Sequence, residues 1–190
     1  NNKEKRWIID PIDGTMNFLK GVPHFAISVA YEEDGEIVCG LVFDPIKDEL
    51  FVAEKGNGAF LNNSRIRVTN KKKLFESYLA TGGPKFNSEH KKKIFDEYVK
   101  ISNIVNAPVR KFGCASLDLA YVACGRFDGS WQWELSYWDV AASIIIVKEA
   151  GGFVDFIDPQ AKESVKRNII ATNSVIHDEL KNNILKKIIE

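Results

Sequence analysis

Asp10-Pro11-Ile12-Asp13-Gly14-Thr15 places two carboxylates three residues apart, directly after the apolar run Trp7-Ile8-Ile9. Pro11 stiffens the chain between the acids, and Gly14 permits a close backbone approach. Thr15 opens a helical turn whose free N–H groups favour an anion. Hard oxygen ligands beside such a turn suit Mg²⁺ bridging to a phosphate, and the Ile12 carbonyl offers a neutral oxygen between the acids. Asp, Gly and Thr are also ordinary turn formers, so the hexapeptide alone leaves a purely structural turn open.

A second segment adds weight to the chemical reading. Trp138-Asp139-Val140-Ala141-Ala142 sets another carboxylate at the start of a long apolar helix. Asp is a common helix cap. This helix, however, is apolar on most sides (Ile144, Ile145, Ile146, Val147), which predicts burial and an acid deep in the molecule. A buried acid needs a partner, and a metal shared with Asp10 and Asp13 would provide one.

The elements that must position these acids fall into two styles. The run Trp7–Ile9 reads as a strand that stops where the acids begin, and Phe25–Tyr31, Ile37–Phe43, Glu49–Ala53, Ala59–Leu61 and Ile66–Thr69 read as further strands. Turn signals such as Asp34-Gly35 separate them, so the first third predicts an antiparallel meander. From about Lys73 strands and helices alternate. Strands are expected at Tyr78–Thr81, Val109–Phe112, Ser130–Trp133, Phe153–Ile157 and Asn168–Ala171. Helices are expected at Glu89–Ser102, Ser116–Cys124, Asp139–Ala150 and His177–Ile189. The expectation is a layered α/β fold, divided into residues 1–72, the antiparallel part of a first αβ domain, and 73–190, a second α/β domain.

Composition narrows the function classes. The 190 residues carry 26 basic and 26 acidic side chains, and this balance disfavours a wholesale nucleic-acid or membrane-surface binder. Hydrophobic residues at 45% are enough for a sizeable core. Cys39, Cys114 and Cys124 form no CxxC pair, which points to reduced thiols in a cytoplasmic protein. No apolar run reaches the length of a membrane span.

Taken together, DPIDGTMNF and WDVAASIIIVKEAGG resemble the inositol monophosphatase family of Mg²⁺-dependent sugar-phosphate phosphatases. Further segments agree in order: GVPHFAISVAY, GLVFDPIKDELFVAEKGNGAFLNNSRIRV, ATGG, RKFGCASLDLAYVACGRFDG and NIIATNSVIHDEL. The style is that of the bacterial branch, the extragenic suppressor proteins. The resemblance implies a sugar-phosphatase-like αβαβα sandwich and hydrolysis of inositol monophosphate by metal-activated water. It implies two or three Mg²⁺ ions per intact site, replaceable by Ca²⁺ or Mn²⁺. Asp10, the Ile12 carbonyl, Asp13 and Asp139 would be the metal ligands, with Asp13 and Thr15 the catalytic pair. Gly14 and Thr15 would meet the phosphate, Ala115 and Gln132 the polyol, and Asp139 would belong to the substrate-binding set as well. Lithium inhibition, a homodimer and a cytoplasmic hydrolase are implied as well.

Two departures from the family pattern stand out. The family carries a further N-terminal part with two helices and a metal-ligand Glu. The chain opens instead on a polar stub without Met, so a fragment lacking the N-terminal helices, weakly active or inactive alone, is expected. Glu4 lies too near Asp10 to replace that Glu. Gln132 also stands where the family commonly has Glu, which keeps an acceptor but removes the charge.

Rival readings follow from the same residues. A haloacid-dehalogenase phosphatase needs Asp-x-Asp, whereas two residues separate Asp10 and Asp13. A 3′(2′),5′-bisphosphate nucleotidase or a fructose-1,6-bisphosphatase of the same family is a nearer alternative. The bacterial branch also includes proteins that act with RNA polymerase in ribosomal RNA transcription, for which Lys71–Lys73 and Lys91–Lys93 could be a contact patch. Cys114 is expected to be a small buried thiol, and Trp131, Trp133 and Trp138 to be core or dimer interface.

Overall fold

The structure is a computed structural model, and it describes residues 4–84, 87–157 and 166–185. In the first third, alternation of side chains builds an antiparallel sheet in chain order. Its strands are β1 (Lys5–Asp13), β2 (Ala26–Glu33), β3 (Glu36–Asp44), β4 (Glu49–Glu54), β5 (Gly58–Leu61) and β6 (Ser64–Arg65). A short helix, α1 (Thr15–Leu19), separates β1 from β2. The second sheet holds β7 (Leu79–Thr81), β8 (Gly129–Ser136), β9 (Phe153–Phe156) and β10 (Lys166–Thr172) in the order β7-β8-β10-β9. β7 runs parallel to β8, and the other pairs are antiparallel. The remaining helices are α2 (Lys91–Ile104), α3 (Ala115–Ala123), α4 (Tyr137–Glu149) and α5 (His177–Leu185).

The layers follow from which faces are apolar. In α4 every residue from Val140 to Val147 is buried, as expected of a helix that is apolar all round and lies inside a core. α4 and α3 lie between the two sheets and share one hydrophobic cluster with Val42, Phe51, Ile169 and Ala171. Small residues on β2 and β3 let α4 approach closely. At Gly40 an added Cβ would sit 2.6 Å from the Ala142 carbonyl oxygen. A second cluster joins Trp131, Trp133 and Ile170 of the second sheet to Ile94 and Ile101 of α2 and Leu180 and Ile184 of α5. The described residues therefore stack as sheet, helices, sheet, helices, in agreement with a layered α/β fold.

The structure departs from the sequence expectations at several edges. β1 does not stop at the acids but continues through Asp13, because Asp10 pairs with Ser28 and Asp13 with Ala26 across a bulge. The bulge accommodates Pro11, which has no N–H for a regular ladder. The strand expected at Ile66–Thr69 is absent, since pairing to β5 involves Ser64 and Arg65. Val109–Phe112 contributes only a single parallel bridge, Arg110 to Ala80. Trp131 and Trp133 are core, but Trp138 is 46% exposed. The last helix is described to Leu185, and its expected extension to Ile189 lies outside the described residues. Among the described residues, no helix is long and apolar enough to cross a membrane.

Candidate active site

Asp10 lies on the face of β1 turned toward α4 and is buried. Its Oδ1 accepts the N–H of Ile12 at 3.1 Å, which fixes the turn across Pro11. Asp13 follows past the bulge and caps α3. Its Oδ2 accepts the Ser116 N–H and the Ser116 hydroxyl, each at 2.6 Å, and the Cys114 thiol at 3.2 Å. A carboxylate at a helix N-terminus gains from the free N–H groups and the helix dipole. Burial nevertheless holds the Asp13 pKa above its ordinary value. The charge of Asp10 pushes it in the same direction, while the bonds from Ser116 and Cys114 oppose the rise. Two neighbouring carboxylates of this kind form the donor set that a hard divalent cation would relieve of repulsion.

Gly14 caps α1 in the left-handed region, at φ 85°. A side chain there would be strained and would also press on the His24 carbonyl oxygen at 3.1 Å and on Cys114. Thr15 is exposed, and its hydroxyl donates to the Ile12 carbonyl at 2.9 Å, so the predicted neutral ligand and the predicted catalytic hydroxyl are in contact. A carbonyl oxygen has two lone pairs, so this bond leaves the second for a metal.

Asp139 arrives from the far end of the sequence. It is the third residue of α4 and forms a capping box with Ser136, whose N–H donates to Asp139 Oδ2 at 2.8 Å. It is half-buried rather than deep in the molecule, because α4 begins at the rim of the layer. The Trp138 carbonyl accepts the Ser28 hydroxyl at 3.4 Å, and Ser28 is the cross-strand partner of Asp10. The start of α4 thus lies against the strand beside Asp10. As they stand, no three acidic, His or Cys side chains among the described residues form a ready metal cluster. The oxygen donors fit Mg²⁺ in kind, with Asp10 and Asp13 as a pair and Asp139 acting as the cap of its own helix.

Ala115 opens α3 between the two residues that hold Asp13, and so belongs to this cluster. Gln132 does not. It is 2% exposed on β8, and its amide nitrogen donates to Asp118 at 2.9 Å and to the Ser130 hydroxyl at 3.2 Å. Cys114 is buried and burial pushes its thiol pKa up, so it is an inert thiol rather than a nucleophile.

Three residues of the site were not singled out by the sequence. Ser116 holds Asp13 and, through its carbonyl, accepts the Ser143 hydroxyl of α4 at 3.0 Å. Asn17 donates to the carbonyls of His24 and Phe112, at 2.8 Å each, and ties the acidic turn to the segment leading into α3. Asp118 is 1% exposed. The available signal was polar residues inside the otherwise apolar helix SLDLAYVAC.

Comparison with known proteins identifies the family and the fold. The chain is 46% identical over 183 residues to an inositol-1-monophosphatase of Rhizobium meliloti (strain 1021), covering 96% of this chain and 68% of that protein. It is 43% identical over 171 residues to the Nus factor SuhB of Pseudomonas aeruginosa, covering 88% of this chain and 62% of that one. The structure superposes on that of the extragenic suppressor protein suhB from Bartonella henselae with a TM-score of 0.91 at 45% identity, over 97% of this chain and 70% of that one. The chain thus spans about two thirds of the length of the relatives it matches. The model of the inositol monophosphatase family matches residues 1–190, and the chain belongs to that family of phosphatases.

Proposed function

We propose that this site is that of a Mg²⁺-dependent phosphomonoesterase that hydrolyses inositol monophosphate to inositol and phosphate. The observation that carries the reading is the pairing of Asp10 and Asp13 beside the Gly14–Thr15 turn, with the Asp13 pKa raised by burial and by its acidic neighbour. When bound, Mg²⁺ supplies charge that polarises the phosphoryl group, activates the attacking water and stabilises the leaving oxygen. Asp10, the Ile12 carbonyl, Asp13 and Asp139 would hold it. The backbone N–H groups of Gly14 and Thr15 orient the phosphate. The Thr15 hydroxyl can exchange its bond to Ile12 for one to the attacking water, and Asp13, fixed by Ser116, keeps its geometry meanwhile. Ala115, which opens α3 beside Asp13, and Asp139 would meet the substrate, whereas Gln132 is buried on β8 apart from the site's acids.

This reading includes a cytoplasmic homodimer inhibited by lithium. The test is phosphate release by the full-length protein from inositol 1-phosphate, a 3′(2′),5′-bisphosphate nucleotide and fructose 1,6-bisphosphate, with Mg²⁺ and with EDTA. Fastest turnover of inositol 1-phosphate, abolished by EDTA, is expected. Turnover that persists in EDTA would exclude the mechanism. A transcription role is a second reading, favoured by the Nus-factor name of a relative 43% identical. Asp139→Asn should remove phosphate release while sparing a partner interaction of that kind.

A further inference from the structure

Ser143 is the one hydroxyl in the buried run Val140–Val147 of α4, and it is 0% exposed. A buried hydroxyl costs free energy unless it is hydrogen-bonded. Serine inside a helix commonly bonds the carbonyl one turn back, which here would be that of Asp139. Ser143 instead donates across to the Ser116 carbonyl of α3 at 3.0 Å. Ser116, also 0% exposed, is the residue whose N–H and hydroxyl both donate to Asp13 Oδ2 at 2.6 Å. A continuous chain of bonds therefore runs from the middle of α4, through the first turn of α3, to one acid of the site.

Asp139 and Ser143 stand four residues apart in α4, so they share one face of the helix, one turn from each other. That face meets the start of α3 at Ser143, and it carries Asp139 toward the same end of α3, where Asp13 is held. On Asp13, Oδ2 is taken up by Ser116 and by the Cys114 thiol at 3.2 Å, so Oδ1 is the oxygen left for a cation. The geometry points to Ser143 as a positioning residue, whose hydroxyl keeps the start of α4, with Asp139, in register with the start of α3, which fixes Asp13. It acts through Ser116 and not as a ligand. This inference rests on the Mg²⁺-dependent reading and deepens it, because it makes the affinity for the cation depend on a bond between two helices inside the core.

The test follows Mn²⁺ binding to the full-length protein by electron paramagnetic resonance, with inorganic phosphate present. Ser143→Ala removes the hydroxyl and keeps a small side chain. Its Kd for Mn²⁺ should rise about threefold, somewhat less than the worth of one hydrogen bond. The Mg²⁺ concentration that gives half the maximal rate on inositol 1-phosphate should rise by the same factor, with kcat at saturating Mg²⁺ retained. Ile146→Val deletes a methylene from the same buried stretch and costs comparable stability. It should leave both quantities unchanged, which separates positioning from a general loosening of α4. Ser143→Thr and Ser143→Val have nearly the same shape and differ in the hydroxyl, so Ser143→Thr should bind Mn²⁺ about threefold more tightly than Ser143→Val. If Ser143→Ala does not fold, that pair decides alone. Equal Kd in wild type and Ser143→Ala, equal Kd in the pair, or an equal rise in Ile146→Val overturns the inference and leaves the metal-site reading standing. A wild-type protein that binds no Mn²⁺ fails that reading first and removes this inference with it.

Discussion

The two sheets bury their faces differently. The four-stranded sheet has helices on both sides: Trp131 and Ile170 meet α2 and α5, and Ile169 and Ala171 meet α3 and α4. Among the described residues, the six-stranded sheet is covered on one side, by α4 with α3, and on the other Trp7 is 63% and Ile9 54% exposed. Both sheets, however, carry buried polar residues on the side facing α3 and α4, while Thr172 of β10 meets His177 of α5 on the outer side at 2.9 Å. On the α3–α4 side these are Asp10 and Ser28 in one sheet, and Ser130 and Gln132 in the other. The outer faces contribute mostly apolar area. The candidate site lies beside the middle layer, where the start of α3 supplies an N–H to Asp13 and the start of α4 lies against Ser28.

The largest predicted effect tests the doubly covered sheet. Trp131→Ala removes a fully buried indole between β8 and the α2–α5 pair. Chemical denaturation should show a loss of about 3–5 kcal/mol. A loss as small as that at an exposed position would mean that the outer helices do not pack as described. Next in size is Gly40→Ala, which forces a methyl against the Ala142 carbonyl at 2.6 Å and the Ile145 side chain at 2.7 Å. A cost of about 1–3 kcal/mol is expected, because α4 must move off the six-stranded sheet. Neutral behaviour would show that this contact is loose.

A pH effect belongs to the α2 side of the four-stranded sheet. Burial pushes the Glu97 carboxyl up to about 7, against the Trp133 N–H bond and the charges of Lys93 and Lys100. The folded state therefore keeps a proton that the unfolded chain, with an ordinary Glu pKa near 4.5, has lost. Stability should fall as pH rises from about 4.5 to about 7, then level off. Glu97→Gln should flatten that fall in denaturation curves taken at pH 5 and pH 8, and equal pH dependence in both proteins would contradict the assignment. The smallest effect is on the open face of the other sheet. Ile9→Ala should change stability by about 0.5 kcal/mol or less, and a core-sized loss would show that this face is covered.

Much of this arrangement was legible in the sequence. Periodicity placed the meander and the α4 helix, because a two-residue repeat and an all-apolar helix each reflect their own burial. The edges were less legible. β1 runs through Asp13 because Ser28 and Ala26 supply partners, and β6 sits at Ser64–Arg65 because β5 does. Both depend on the neighbouring strand rather than on local composition. The motifs supplied Asp10, Asp13 and Asp139 as candidate acids, of which the structure sets Asp10 and Asp13 close together. Their supports were not legible: Ser116 and Asn17 act across 103 and 95 positions of sequence, and no local pattern reports such a pairing. Gln132 was expected on the polyol side, and only the fold shows that its nitrogen is turned to Asp118.

If acids from the edge of one sheet and from the helix between the sheets hold Mg²⁺ together, they should hold Mn²⁺ as well. Electron paramagnetic resonance of Mn²⁺ titrated into the full-length protein, with inorganic phosphate present, separates bound from free ion without relying on turnover. Wild type should bind Mn²⁺, and Asp13→Asn and Asp139→Asn should each weaken that binding by about tenfold or more, the loss of a charged ligand costing at least ~1.4 kcal/mol. Binding by Asp139→Asn equal to wild type would exclude Asp139 from the metal site and leave it as no more than the cap of α4.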